Sequence, residues 1–171
     1  MALQLSLLAS FEDLQVSSRE YVDAVYDVFV RDLISSRARW MPNGGEVSCR
    51  RQPEVEGRHA IFWHCVSAGD GDEEARLVDF NRCRRIHWIR PMINEFNSIY
   101  PGKGDGSLHW WVSGRRLQNP RYILATGDYG FVVMVDQRST YAMLVTAYHV
   151  DRRRRREKFK SECEDYWSAH S

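Results

Sequence analysis

A chain of 171 residues with a formal net charge of +1 is long enough for one compact domain, read here as 1–171, and too balanced in charge to be a polybasic nucleic-acid binder. Apolar residues at 43% and aromatics at 12% exclude a disordered chain, and with a net charge of only +1 any attraction for nucleic acid has to come from local clusters. Cys49, Cys65, Cys83 and Cys163 are scattered without zinc-knuckle spacing, which predicts free thiols in a reducing cytosol.

Residues 1–9 are mildly apolar but carry no basic leader, and no stretch reaches bilayer-spanning length. A cytoplasmic protein without membrane contact is expected. Ser17 and Glu20 have the spacing of a capping box, and Tyr21, Val22, Val25, Tyr26, Phe29 and Leu33 recur at helical spacing. That pattern predicts a helix to about Ser35. Pro42, Gly44, Gly45 and Pro53 mark a loop over 41–57, with short extended pieces near Val47.

The run 59–66 is expected as a strand, with Ile61, Trp63 and Cys65 on one face and Ala60, Phe62 and His64 on the other. An acidic, glycine-bearing surface loop follows over 67–74. From Leu77 a helix is expected, with Phe80, Cys83, Ile86 and Ile89 on its apolar stripe and Arg82, Arg85 and Trp88 beside it. Pro91 should end or kink it at Arg90, before a short helix over 92–100. The turn 101–106 has the composition of a phosphate loop but lacks the Gly-Lys-Ser/Thr ending.

Four strands are expected over 108–113, 122–126, 129–135 and 141–150. On the last, alternation groups Leu144, Thr146 and Tyr148 against Met143, Val145 and His149. A hairpin centred near Arg138 would set Gly130 opposite Thr146. A terminal helix over 151–170 should be capped by Asp151 and docked through Phe159, Cys163, Tyr166 and Trp167. Arg152, Arg153, Arg154, Arg155 and Arg156 then form either a solvated face or a phosphate-contacting ridge.

Three constellations carry chemistry. His64 with Arg82, Arg85, Thr146 and Tyr148 suits metal-independent RNA cleavage, which needs a proton-transfer group and fixed cations around phosphorus. His64, Cys65, Cys83 and His87 could instead hold zinc, although strand alternation points His64 and Cys65 apart. Trp88, Trp110 and Trp111 beside arginine suit base stacking, although neighbours on a strand cannot both face one ligand.

Glu20-x6-Asp27, Pro53-x3-Gly57, Phe62-Trp63-His64, Arg82-Cys83-x-Arg85-Ile86-x-Trp88 and Leu144-x-Thr146-Ala147-Tyr148 occur in this order, before the Arg/Lys-rich terminal helix. Together they resemble the phage-associated ribonuclease-like family of the Barnase–EndoU–colicin–RelE superfamily. The resemblance implies an α+β fold in which N-terminal and C-terminal helices pack on a central antiparallel sheet. It also implies a metal-independent endoribonuclease without a cofactor, acting as a toxin on RNA and controlled by a cognate antitoxin. In that reading His64 is general acid or base, Arg82 and Arg85 bind phosphate, Thr146 and Tyr148 position it, and Trp88 and the ridge of Arg152 to Arg156 recruit RNA. The alternative is a non-catalytic nucleic-acid-binding or accessory protein on the same fold. Two positions depart from the family pattern: Arg84 stands where an acidic residue is expected, and His87 where arginine is expected.

Overall fold

The computed structural model describes residues 3–68, 77–114 and 118–170. The chain is α+β. A six-stranded sheet in the order β1-β2-β8-β7-β6-β5 is built from β1 (Arg39–Trp40), β2 (Gly45–Ser48), β5 (Leu108–Ser113), β6 (Arg121–Thr126), β7 (Phe131–Gln137) and β8 (Ala142–His149). The strands β5 to β8 form an antiparallel meander, and β2 adds to β8 in parallel, Val47 opposite Ala142. A second, two-stranded sheet pairs β3 (Ser67–Ala68) with β4 (Leu77–Val78).

The helices are α1 (Phe11–Leu14), α2 (Ser18–Phe29), α3 (Ala60–Val66), α4 (Phe80–Cys83), α5 (Ile89–Ile99) and α6 (Arg153–Ala169). The capping box of α2 is present: the Ser17 side chain accepts from the Glu20 backbone N–H, and the Glu20 carboxylate accepts from that of Ser17. The helix continues as a π-helical turn, Val30–Ile34, and buries Tyr21, Val22, Val25, Phe29 and Leu33.

The sheet separates two apolar clusters. On one face α2, α3 and α5 bury Phe29, Phe62, Ile93 and Phe96 with Trp40, Trp110, Leu124 and Val133. On the other, Phe159 and Cys163 of α6 pack on Trp111, Ile123, Val132 and Met134. Among the described residues no helix is long and apolar enough to cross a membrane.

Several expectations are corrected. The run 59–66 is helix, not strand. Its apolar residues are nearly continuous, so period alone could not separate the two states. Packing decides for helix: Ala60, Ile61, Phe62, Cys65 and Val66 are buried, while Trp63 and His64 are half-buried. The long helix from Leu77 is broken into β4, α4, a 3-10 turn (Ile86–Trp88) and α5. Pro91 does not end a helix but lies in the first turn of α5, where a missing N–H costs nothing. Cys83, Ile86 and Ile89 nonetheless form the expected buried stripe.

On β8 a bulge opposite Met134 and Val135 breaks the alternation. Leu144 and Ala147 therefore face the first cluster, while Val145 and Tyr148 pack against the second. Thr146 lies opposite Met134, not Gly130, which precedes β7 and bonds to Val150 instead. Arg152, not Asp151, is the N-cap of α6 and makes no side-chain cap bond. The acidic loop expected over 67–74 lies outside the described residues beyond Ala68.

Candidate functional site

The turn between β6 and β7 is tied by its own side chains. Thr126 Oγ1 donates to Asp128 Oδ1 at 2.7 Å and accepts from the backbone N–H groups of Gly130 and Phe131. Asp128 Oδ1 also accepts from Gly130 N–H at 2.9 Å. A Cβ at Gly130 would lie 2.7 Å from Asp128 Oδ2, so glycine lets the carboxylate fold back over the turn. Burial alone would raise the Asp128 pKa. The Thr126 hydroxyl, the Gly130 N–H and the Arg156 guanidinium together hold it below the usual carboxylate range. Arg156 clamps the far side, with Nε donating to Val150 O at 2.6 Å and Nη1 lying 3.4 Å from Asp128 Oδ2.

This turn forms one wall of a cleft of about 290 Å³, whose other walls include Arg85, Trp88, His149, Leu3 and Leu5. His149 ends β8, opposite Phe131. Burial, then the charges of Arg85 and Arg156, pull its imidazole below the usual histidine range, partly offset by Asp151 and Asp79. The ring is thus neutral near pH 7 and able to accept a proton. Burial, then Arg84, likewise lowers the pKa of Arg85. Its Nη1 donates to Asn81 O at 2.7 Å, its guanidinium lies 5.3 Å from the Trp88 ring, and its Nε is buried without an acceptor. The cleft therefore places a half-buried guanidinium with one unanswered N–H beside an uncharged histidine.

The structure divides the residues singled out by sequence. Arg82 and Tyr148 are brought together, the guanidinium 5.4 Å from the ring centroid, while Arg82 Nη1 donates to Ser67 O at 2.6 Å. Arg85 and Trp88 share the cleft with His149. Thr146 is buried opposite Met134. His64 is half-buried on α3 and does not line the cleft of Arg85 and His149. The Trp88 indole N–H donates to Ser6 O at 2.7 Å, so residues 3–8 lie along this face as a strap. Arg84 holds the strap too, its Nε donating to Leu8 O and its carbonyl accepting from Leu8 N–H. His87 lies against the Ser6 backbone, and burial keeps its pKa low.

The arginine ridge is not uniform. Arg156 is clamped to the turn, Arg155 lies over Phe159 at 4.7 Å, and Arg153 pairs with Glu157 at 2.8 Å. Among the described residues Arg152 and Arg154 have no such partner.

The competing constellations come apart. Trp110 and Trp111 are both buried, one on each face of the sheet, and so are closed to a base. Among the described residues no three metal-ligating side chains gather. All four cysteines are free thiols, and burial pushes Cys49, Cys65 and Cys83 up to about 12, far from nucleophilic thiolates.

Sequence reading placed Thr126 at the end of a strand and gave neither it nor Asp128 a functional role. The signal available was Thr126-Gly127-Asp128-Tyr129-Gly130 itself, a tight loop offering two side-chain acceptors beside a strand that ends in histidine. No protein-family model, curated protein or solved structure matches this chain, so the family resemblance rests on its ordered motifs.

Proposed function

We propose that this protein is a metal-independent endoribonuclease of the cytosol, restrained by a cognate antitoxin, with its chemistry in the cleft of His149 and Arg85. The observation that carries this reading is the pairing in one cleft of a neutral histidine with a half-buried guanidinium whose Nε has no acceptor. A phosphodiester oxygen supplies the missing acceptor, and a neutral imidazole is the form that takes a proton.

In the reaction His149 removes the proton of a 2′-hydroxyl as its oxygen attacks the adjacent phosphorus. The bond to the 5′-oxygen breaks, and the imidazolium returns the proton to that leaving oxygen. The products are a 2′,3′-cyclic phosphate and a 5′-hydroxyl. Arg85 stabilises the charge that accumulates on phosphorus. Arg82, stacked on Tyr148, and the free guanidinium groups of Arg152 and Arg154 guide the strand.

The test is cleavage of RNA in EDTA by the wild type, His149→Ala and His64→Ala. His149→Ala should lose on the order of 10²–10⁴ in rate, and replacing the 2′-hydroxyl by hydrogen should abolish cleavage. Full activity in His149→Ala with its loss in His64→Ala would move the chemistry to α3. Salt-dependent RNA binding without cleavage by the wild type would make the protein a non-catalytic binder instead.

A further inference from the structure

The Asp128 turn has a second side. There a cleft of about 460 Å³ opens between the turn, the 101–107 segment and α6, and Gly127 and Asp128 line both clefts. Lys103 and Lys160 both line this second cleft, as does Glu164 of α6. Asp128 is already answered by Arg156, and Lys160 lies 3.9 Å from Glu164. The lining therefore keeps one unmatched positive charge, that of Lys103. The His109 ring lies flat against Tyr129, with centroids 4.5 Å apart and planes 3° from parallel, and Nε2 is 3.3 Å from Gly127 O. Its part-exposed outer surface is a rigid aromatic wall beside the lysines.

A single positive charge next to a fixed aromatic plane is the combination that single-stranded nucleic acid uses. The phosphate tracks the cation while the base stacks without sequence preference. One phosphodiester carries the one negative charge that this lining lacks. Because the clefts share a wall, a strand leaving the first passes over the Asp128 turn into the second. Resting on the reading of the first cleft as an RNA site, we infer that the second cleft seats the neighbouring nucleotide of the same single strand. Lys103 and Lys160 hold its phosphate, and His109 stacks on its base.

The probes are a dinucleotide and a pentanucleotide of 2′-fluoro RNA, which lack the nucleophilic hydroxyl and so report binding alone. The wild type should hold the pentanucleotide more tightly than the dinucleotide. Lys103→Gln with Lys160→Gln should remove that advantage and lower the salt slope for the pentanucleotide by about 0.7, the share of one single-strand phosphate. Dinucleotide binding should not change. Glu164→Gln should act in the opposite direction and tighten the pentanucleotide. Equal affinity of the wild type for both lengths, or equal losses for both in the lysine variant, overturns the inference. A wild type that shows the length effect but never cleaves RNA defeats the ribonuclease reading and leaves this subsite standing.

Discussion

The chain has two arginine-rich stretches, and they are used in opposite ways. Arg82, within α4, and Arg84 and Arg85, just after it, each give a side-chain N–H to a backbone carbonyl, Ser67 O, Leu8 O and Asn81 O, and only Arg85 of the three keeps a buried N–H without an acceptor. At the start of α6 only Arg156 is spent that way, on Val150 O. Arg152, Arg153 and Arg154 stand in solvent. Arginine density alone is thus a poor guide to role. A guanidinium bonded to carbonyls positions chain segments, and a solvated one is left for long-range attraction of an anion.

The largest effect that sharpens this contrast comes from a third arginine, set deeper. Arg121 makes two bonds to Asp136 across β6 and β7, at 2.7 and 3.0 Å, with the carboxylate almost fully buried. Asp136→Ala should cost about 3 kcal/mol in urea denaturation, the low end for breaking a buried pair because Arg121 can partly rehydrate. Next comes Arg84→Ala, which removes the bond to Leu8 O. It should cost about 1.5–2 kcal/mol and speed amide exchange in the 3–8 strap. Loss of less than about 0.5 kcal/mol would place Arg84 with the solvated class.

A pH titration of stability tests the charge around His149. Its pKa is depressed in the fold, so the unfolded chain binds more protons as pH falls below about 6.5. The contribution is fully present above that value and is lost as pH falls toward the folded pKa. His149→Gln should therefore flatten the acid loss of stability that sets in below about pH 6.5, read by thermal unfolding. An unchanged profile would mean that neither burial nor the charges of Arg85 and Arg156 depress this ring. The smallest effect belongs to Arg153→Ala, whose exposed pair with Glu157 should be worth under about 0.5 kcal/mol. A larger loss would erase the distinction between the two stretches.

Much of the fold was legible because its signals are local. The capping box of Ser17 and Glu20, the stripe from Tyr21 to Leu33 and the β-branched strands need only near neighbours to be read. The candidate site was legible in part. Arg85 and Trp88 were marked by spacing, but His149 was grouped on the wrong basis, since a bulge near Val145 resets the alternation behind it. A bulge is one extra residue on one strand, and only the partner strand reveals it.

Sequence by itself determined the α+β class, the order of helices and strands from 108 onward, and which residues carry charge. Tertiary structure decided the state of 59–66, because a run apolar on every side fits a strand or a helix until its neighbours choose. It also decided the roles of the arginines and histidines. A charged side chain reads the same in sequence whether it meets a carbonyl or water. The desolvation that makes His149 neutral and lowers the pKa of Arg85 exists only once the residues of β8, the segment after α4 and the Asp128 turn enclose one space.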